Sequence, residues 1–219
     1  MRLTVITAIA CLFATSAVAL ADNGNRQNIR FNAADQAAAR AAVLRRSDLG
    51  SGADWRGGAK KPDLTKAEPC PNYNPKQSDL VLTGIAETHF TQGILAFDSE
   101  VQVLETPRMV QLDWRRSVLA PGVLPCLRST TTKALPAGAT VVSIKRLPFP
   151  HVAPYTAAFR LTTDVHAPSG TVRLFVDLVL FGRGRTESSL TTSAPYSARV
   201  PVKTAEIRLA KTLAARVRV

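Results

Sequence analysis

Between Thr156 and Thr192 apolar and polar side chains alternate, as they do when a strand covers a core with one face. Two short breaks, Ala167-Pro168-Ser169-Gly170 and Gly182-Arg183-Gly184-Arg185, divide the stretch into three antiparallel strands. With His166 set against Thr171, Val165 meets Val172, Thr163 meets Leu174, Leu161 meets Val176 and Phe159 meets Leu178. The opposite face then pairs Asp164 with Arg173 and Arg160 with Asp177, and is expected to be solvated. A slip of one residue sends the apolar set to the wrong side and breaks both charge pairs. A three-residue loop, Arg183-Gly184-Arg185, places Leu190 opposite Leu178. The last strand, Glu187 to Thr192, is mostly Ser and Thr, the composition of a solvated edge.

The same reading extends along the chain. Asn32 is an N-cap for an Ala-rich helix from Ala33 to Arg46, with Asp35 in its first turn. Ala34, Ala37, Ala41 and Leu44 share one shallow face that suits close packing. Leu49 to Lys66, with four glycines and Pro62, reads as loop. Strands are expected at Asp79–Phe90 and Leu95–Leu104 around a Gln92-Gly93 turn. Thr106-Pro107 starts a helix that runs from Met109 to Leu119, and a further helical run covers Leu124–Leu135. Thr140–Leu147 is a strand, and Val200–Val217 is a last helix with Val202, Ala205, Leu209 and Leu213 inward. The sum is an α+β fold: a curved antiparallel sheet of about six strands flanked by N-terminal, central and C-terminal helices.

The first 21 residues read as a signal peptide, with Arg2, an apolar run from Leu3 to Val18 and Ala19-Leu20-Ala21 before Asp22. Residues 22–31 read as a flexible tether and residues 32–219 as one domain. Export leaves two cysteines, Cys70 and Cys126, which are expected to form a disulfide. Closing that loop contributes about 4 kcal/mol by chain entropy. The formal net charge of +12 falls to +11 when Arg2 leaves, with 27 basic against 16 acidic residues. Such an excess favours encounter with anionic surfaces and specifies no nucleic acid.

The export signal, the Ala-rich first helix, Cys70 ahead of the first strand, Cys126 in a mid-chain helical stretch, and a long hairpin ending in Leu180-Phe181-Gly182-Arg183-Gly184-Arg185 before a terminal helix form a layout. It resembles the extracellular sensor domains of bacterial Ser/Thr kinases and related actinobacterial-type envelope lipoproteins, with a sandwich of the Mog1/PsbP type. The resemblance implies binding or sensing at the cell envelope and supplies no catalytic residues. Those sensor domains often hold a second disulfide, for which this chain lacks cysteines.

Four side chains are candidate binding residues: Trp55 and Trp114 as aromatic surfaces, and Arg183 and Arg185 flanking a glycine amide where an anion can sit. In the expected register Glu87 faces Asp98 with His89 on the same face, a possible metal or proton site. No HExxH, nucleophile elbow or CxxC is present. The leading expectation is therefore a non-enzymatic, monomeric, exported binding or sensor-like domain without a cofactor. Its partner would be a small apolar or lipid molecule, or an envelope component. The alternatives are a basic structural protein on anionic polymer or lipid, and a metal-dependent hydrolase using Glu87, His89 and Asp98.

Overall fold

Hydrophobic alternation is realised as one eight-stranded sheet with helices on both faces. The computed structural model describes residues 25–51, 54–64, 70 and 73–217; the expected signal peptide and the first residues of the expected tether lie outside them. The strands are β1 (Asn28–Ile29), β2 (Arg56–Lys60), β3 (Val81–Gln92), β4 (Leu95–Leu104), β5 (Ala139–Arg146), β6 (Tyr155–Ala167), β7 (Gly170–Arg183) and β8 (Thr186–Pro195). The helices are α1 (Ala33–Ala42), α2 (Pro107–Asp113), α3 (Val123–Ala134) and α4 (Arg199–Arg216). The sheet runs β1-β3-β4-β8-β7-β6-β5, and β2 also pairs with β3. Every pairing is antiparallel except β1 with β3.

The β6–β7 hairpin has the register that its charges and apolar positions dictate, from His166 opposite Thr171 to Phe159 opposite Leu178. Arg173 donates to both Asp164 oxygens at 2.7 Å, and Arg160 holds Asp177 at 2.6 and 2.5 Å. The environment of the second pair differs from expectation. Asp177 is fully buried, because α4 covers that face with Leu209 and Leu213 over Phe181 and Val179. The other face meets α2 and α3, where Trp114, Val118 and Val123 pack on Phe159 and Leu180. Both sides of the hairpin's base are therefore interior, and its polar face there is the seat of a buried ion pair.

Two turns are one step away from the expected ones. The β7–β8 turn has two residues, Gly184 and Arg185, so Leu190 lies opposite Val179 and Leu178 opposite Thr191. Leu190 thereby joins the α4 face. The β3–β4 turn is Gly93-Ile94, which sets Glu87 against Glu100 and His89 against Asp98. In each case the glycine with positive φ occupies the first turn position, at +56° and +60°.

Strand β8 is the largest correction. Its Ser and Thr side chains do not mark an edge; it lies between β4 and β7, and Thr191, Thr192 and Ser193 are buried. Small hydroxyl side chains fit under helices that approach the sheet centre. Two segments read as loop and tether also pair with the sheet: β2 along Glu87–Thr91 and β1 along Val81–Leu82. Asn25 takes the Gln77 amide at 2.6 Å, so the stretch beyond residue 24 is held in place.

Helix starts follow the expected caps. The Asn32 side chain accepts from the Asp35 amide at 2.9 Å, and Thr106 caps α2 with Pro107 at its first position. The buried stripe of α1 is Asp35, Ala39 and Ala42, rotated from the expected Ala34, Ala37 and Ala41. Arg185 explains the rotation: its guanidinium reaches Asp35 at 2.8 and 3.2 Å and draws that carboxylate inward. Gly84 permits the close approach, since a Cβ there would meet the Asp35 carbonyl oxygen at 2.4 Å. The disulfide joins Cys70 to Cys126 with the Cα atoms 5.3 Å apart. Among the described residues no helix is long and apolar enough to cross a membrane.

Candidate ligand groove and buried polar site

The sheet edge beside α1 is built in an unusual way. β1 pairs with β3 as far as Leu82, and β2 begins at Glu87, so β3 has no strand partner over residues 83–86 on that side. α1 packs on β3 and β4, leaving β2 outboard of the helix. Gly57, at φ +118°, lets β2 close on β3, because a Cβ there would overlap the His89 carbonyl. Between α1 and this edge lies a groove of about 640 Å³. Such a volume falls within the roughly 300–1,000 Å³ of small-molecule sites.

Val43, Leu44, Ile85 and Phe90 give the groove an apolar floor. Phe31 and Leu64 stand at its mouth, 42% and 48% exposed. Arg40 and Arg45 from the end of α1, and Lys60 and Lys61 from β2 and the residue after it, supply its charge. Lys60 Nζ lies 3.3 Å from Glu87, whose other oxygen accepts the Asp63 amide at 3.2 Å. Arg45 donates to the Ala41 carbonyl at 2.7 Å. Asp48, the nearest acid along the chain, is held by Arg216 at 2.5 and 2.8 Å and by the Arg45 amide. Burial raises the Asp48 carboxyl, and the Arg216 hydrogen bonds, the Arg45 amide and the charges of both arginines outweigh it and leave the group lowered.

A second feature lies on the α2 face. After Asp113 the helix widens into a π-turn over Trp114–Val118, closed by the Leu119 amide on the Trp114 carbonyl at 3.0 Å. This turn aims Asp113 and Ser117 at β4 and β8. Gln77 donates to Asp113 at 2.8 Å and to Ser117 at 2.9 Å, and Ser117 donates to Asp113 at 2.6 Å. Gln102 donates to Glu100 at 2.7 Å. Asp113, Glu100 and Glu187 border a cavity of about 30 Å³, room for a water-sized guest. Burial raises the Asp113 carboxyl. Burial, then the charges of Asp113 and Glu100, push the Glu187 carboxyl well above its ordinary range.

The residues singled out in the sequence are spread over the molecule. Trp55 is buried in the main core against Phe97, ring centroids 5.5 Å apart. Trp114 is buried against Tyr155 at 5.4 Å. Arg183 is exposed at the hairpin tip, while Arg185 ties that tip to Asp35 of α1. His89 Nδ1 meets Asp98 at 2.6 Å, and the hydrogen bond raises the imidazole pKa above 6.5. Glu87 turns instead to Lys60. Among the described residues no three His, Cys, Asp or Glu side chains gather in a metal-binding group.

Groove residues Phe31, Arg40, Arg45, Lys60, Lys61 and Leu64 carried no sequence signal strong enough to gather them. β2 reads Arg-Gly-Gly-Ala-Lys and has no apolar alternation. Ile29 and Phe31, large apolar residues inside a polar stretch, were the local signs that the expected tether meets a surface.

No known protein-family profile matches the chain. No curated protein matches it either. Among solved structures, an uncharacterized protein of Mycobacterium smegmatis (the Rv0999 ortholog) is similar over 84% of this chain and 98% of its own, at 13% identity and a TM-score of 0.43. LpqN of Mycobacterium tuberculosis, described as involved in cell envelope biogenesis, is similar over 77% of this chain and 86% of its own, at 10% identity and a TM-score of 0.31. At these values neither likeness carries an argument about function.

Proposed function

We propose that this chain is an exported binding domain that holds a small apolar or lipid-like molecule in the groove between α1 and the β2–β3 edge. One observation carries the reading: a groove of about 640 Å³ keeps an apolar floor and exposes Phe31 and Leu64 at its mouth. Exposed large apolar side chains around a concavity are costly in water and mark ligand grooves. The Cys70–Cys126 disulfide and the N-terminal Arg2-to-Ala21 pattern support export. The buried carboxyl cluster near Trp114 adds no competing site for an organic molecule, its cavity being only about 30 Å³.

The test is native mass spectrometry of the protein purified from its own host, followed by organic extraction. A co-purified apolar species that is missing from an Ala59→Trp variant, in which the indole fills the groove, is the expected result. A wild-type protein that is ligand-free by both methods, and that takes up no hydrophobic probe into the groove, would reject the reading.

A further inference from the structure

We infer that the occupant of this groove is an anionic amphiphile: a single hydrocarbon chain ending in a carboxylate or phosphate. The inference rests on the groove being a ligand site, and adds which chemistry it selects. Four cationic side chains line the groove: Arg40, Arg45, Lys60 and Lys61. One lining carboxylate, Glu87, is already committed to Lys60 and the Asp63 amide. Arg40 and Lys61 have no ion-pair partner among the described residues, while the Arg45 guanidinium donates to the Ala41 carbonyl and lies within the field of Asp48.

A helix C-terminus attracts cations for its own sake, which accounts for Arg40 and Arg45 taken alone. It does not account for Lys61, which arrives with the Glu87-paired Lys60 from a different element at the same groove. Like charges converging from two elements repel one another in the empty protein, and an acid between them relieves that cost. Guanidinium groups match the planar oxygens of a carboxylate or phosphate. The chain of such a ligand has Val43, Ile85, Phe31 and Leu64 to lie against. A neutral lipid would fill the floor and leave Arg40 and Lys61 without an anion.

The experiment compares decanoate with decanol on the full chain by calorimetric titration at pH 7.4, below the aggregation threshold of each. Decanoate is expected to bind about tenfold tighter or more, with the advantage shrinking as salt is raised. The double variant Arg40→Glu, Lys61→Glu is expected to bring the two probes within about twofold. Both positions are exposed, and an unchanged decanol affinity reports that the variant's groove is intact. Equal binding of both probes to the wild type, or a preference that survives the double variant, overturns the anionic selectivity while leaving the groove as an apolar site. Binding of neither probe, or binding that Ala59→Trp does not disturb, overturns the ligand site itself.

Discussion

Replacing Glu206 by Gln tests how α4 is seated. Glu206 lies on the inner side of α4 and is fully buried, as is Asp177 on β7 beneath it. Both Asp177 oxygens are held by Arg160, and the Glu206 carboxyl has Asp177 and Thr192 as polar neighbours. Arg160 in turn stacks on Phe175 at 4.6 Å. A second negative charge beside Asp177 is thus opposed first by burial and then by that carboxylate, with Lys203 on α4 offsetting part of the effect. The Glu206 pKa rises from 4.5 to about 8. In the unfolded chain the proton leaves above about 4.5, while the folded protein keeps it until about 8, so stability falls as pH rises through that window. At about 1.36 kcal/mol for each tenfold change in proton affinity, the loss is roughly 4–5 kcal/mol. For a chain of this size it lowers the melting temperature by roughly 10–15 °C. Urea denaturation at intervals from pH 5 to pH 9 measures it. Glu206→Gln has no proton to lose and should flatten most of this slope; a residual slope belongs to Glu187, Asp113 and His89, which are also raised. Parallel curves for wild type and variant would refute the buried, protonated Glu206.

Three further outcomes are expected. Asp177→Ala strands the Arg160 guanidinium against Phe175 and should cost about 3–5 kcal/mol in denaturant titration, whereas Asp164→Ala at the exposed end of the same hairpin should leave the unfolding midpoint nearly unchanged. Cys126→Ser opens a loop spanning 56 positions and should lower stability by about 4 kcal/mol; a loss under about 1 kcal/mol in thermal melts under oxidising conditions would contradict a formed Cys70–Cys126 bond. The His89 ring should titrate above 6.5 by NMR and move down in Asp98→Asn; its contribution to stability is complete below 6.5 and is lost as pH rises through the folded value.

The parts of the fold that could be read from the chain are those where one residue type permits one geometry. The β6–β7 register follows from two charge pairs and an apolar alternation that a slip would spoil. Asn32 and Thr106-Pro107 fix helix starts because each satisfies or removes a particular backbone donor. Reading failed where composition stood in for position. β8 has a polar composition because neighbours on both sides and helices on both faces need small side chains there, and a central strand can meet that need as well as an edge. The Arg183-Gly184-Arg185 loop was one residue too long because Gly184 serves equally in two-residue and three-residue turns. The groove escaped entirely, since it is made by α1, β2 and β3 meeting across the edge, with no periodicity linking Phe31, Arg40 and Lys61.

Burying both faces of the sheet also explains why the groove lies where it does. Asp177 with Arg160 under α4, and Asp113 with Gln77 and Ser117 under α2, are enclosed polar groups bonded to one another at the sheet centre. Admitting a ligand between sheet and helix there would break a buried ion pair or expose a desolvated acid, at a cost of several kcal/mol. The outer edge of β3 is different. Residues 83–86 lack a strand partner on that side, and α1 is anchored at its first turn through Asp35 and Arg185. Arg40 in its last turn, with Val43 and Arg45 just beyond, faces the groove. A ligand entering between α1 and β2 therefore displaces water from Phe31 and Leu64 without disturbing either central polar network, which makes this edge the place where binding costs the fold least.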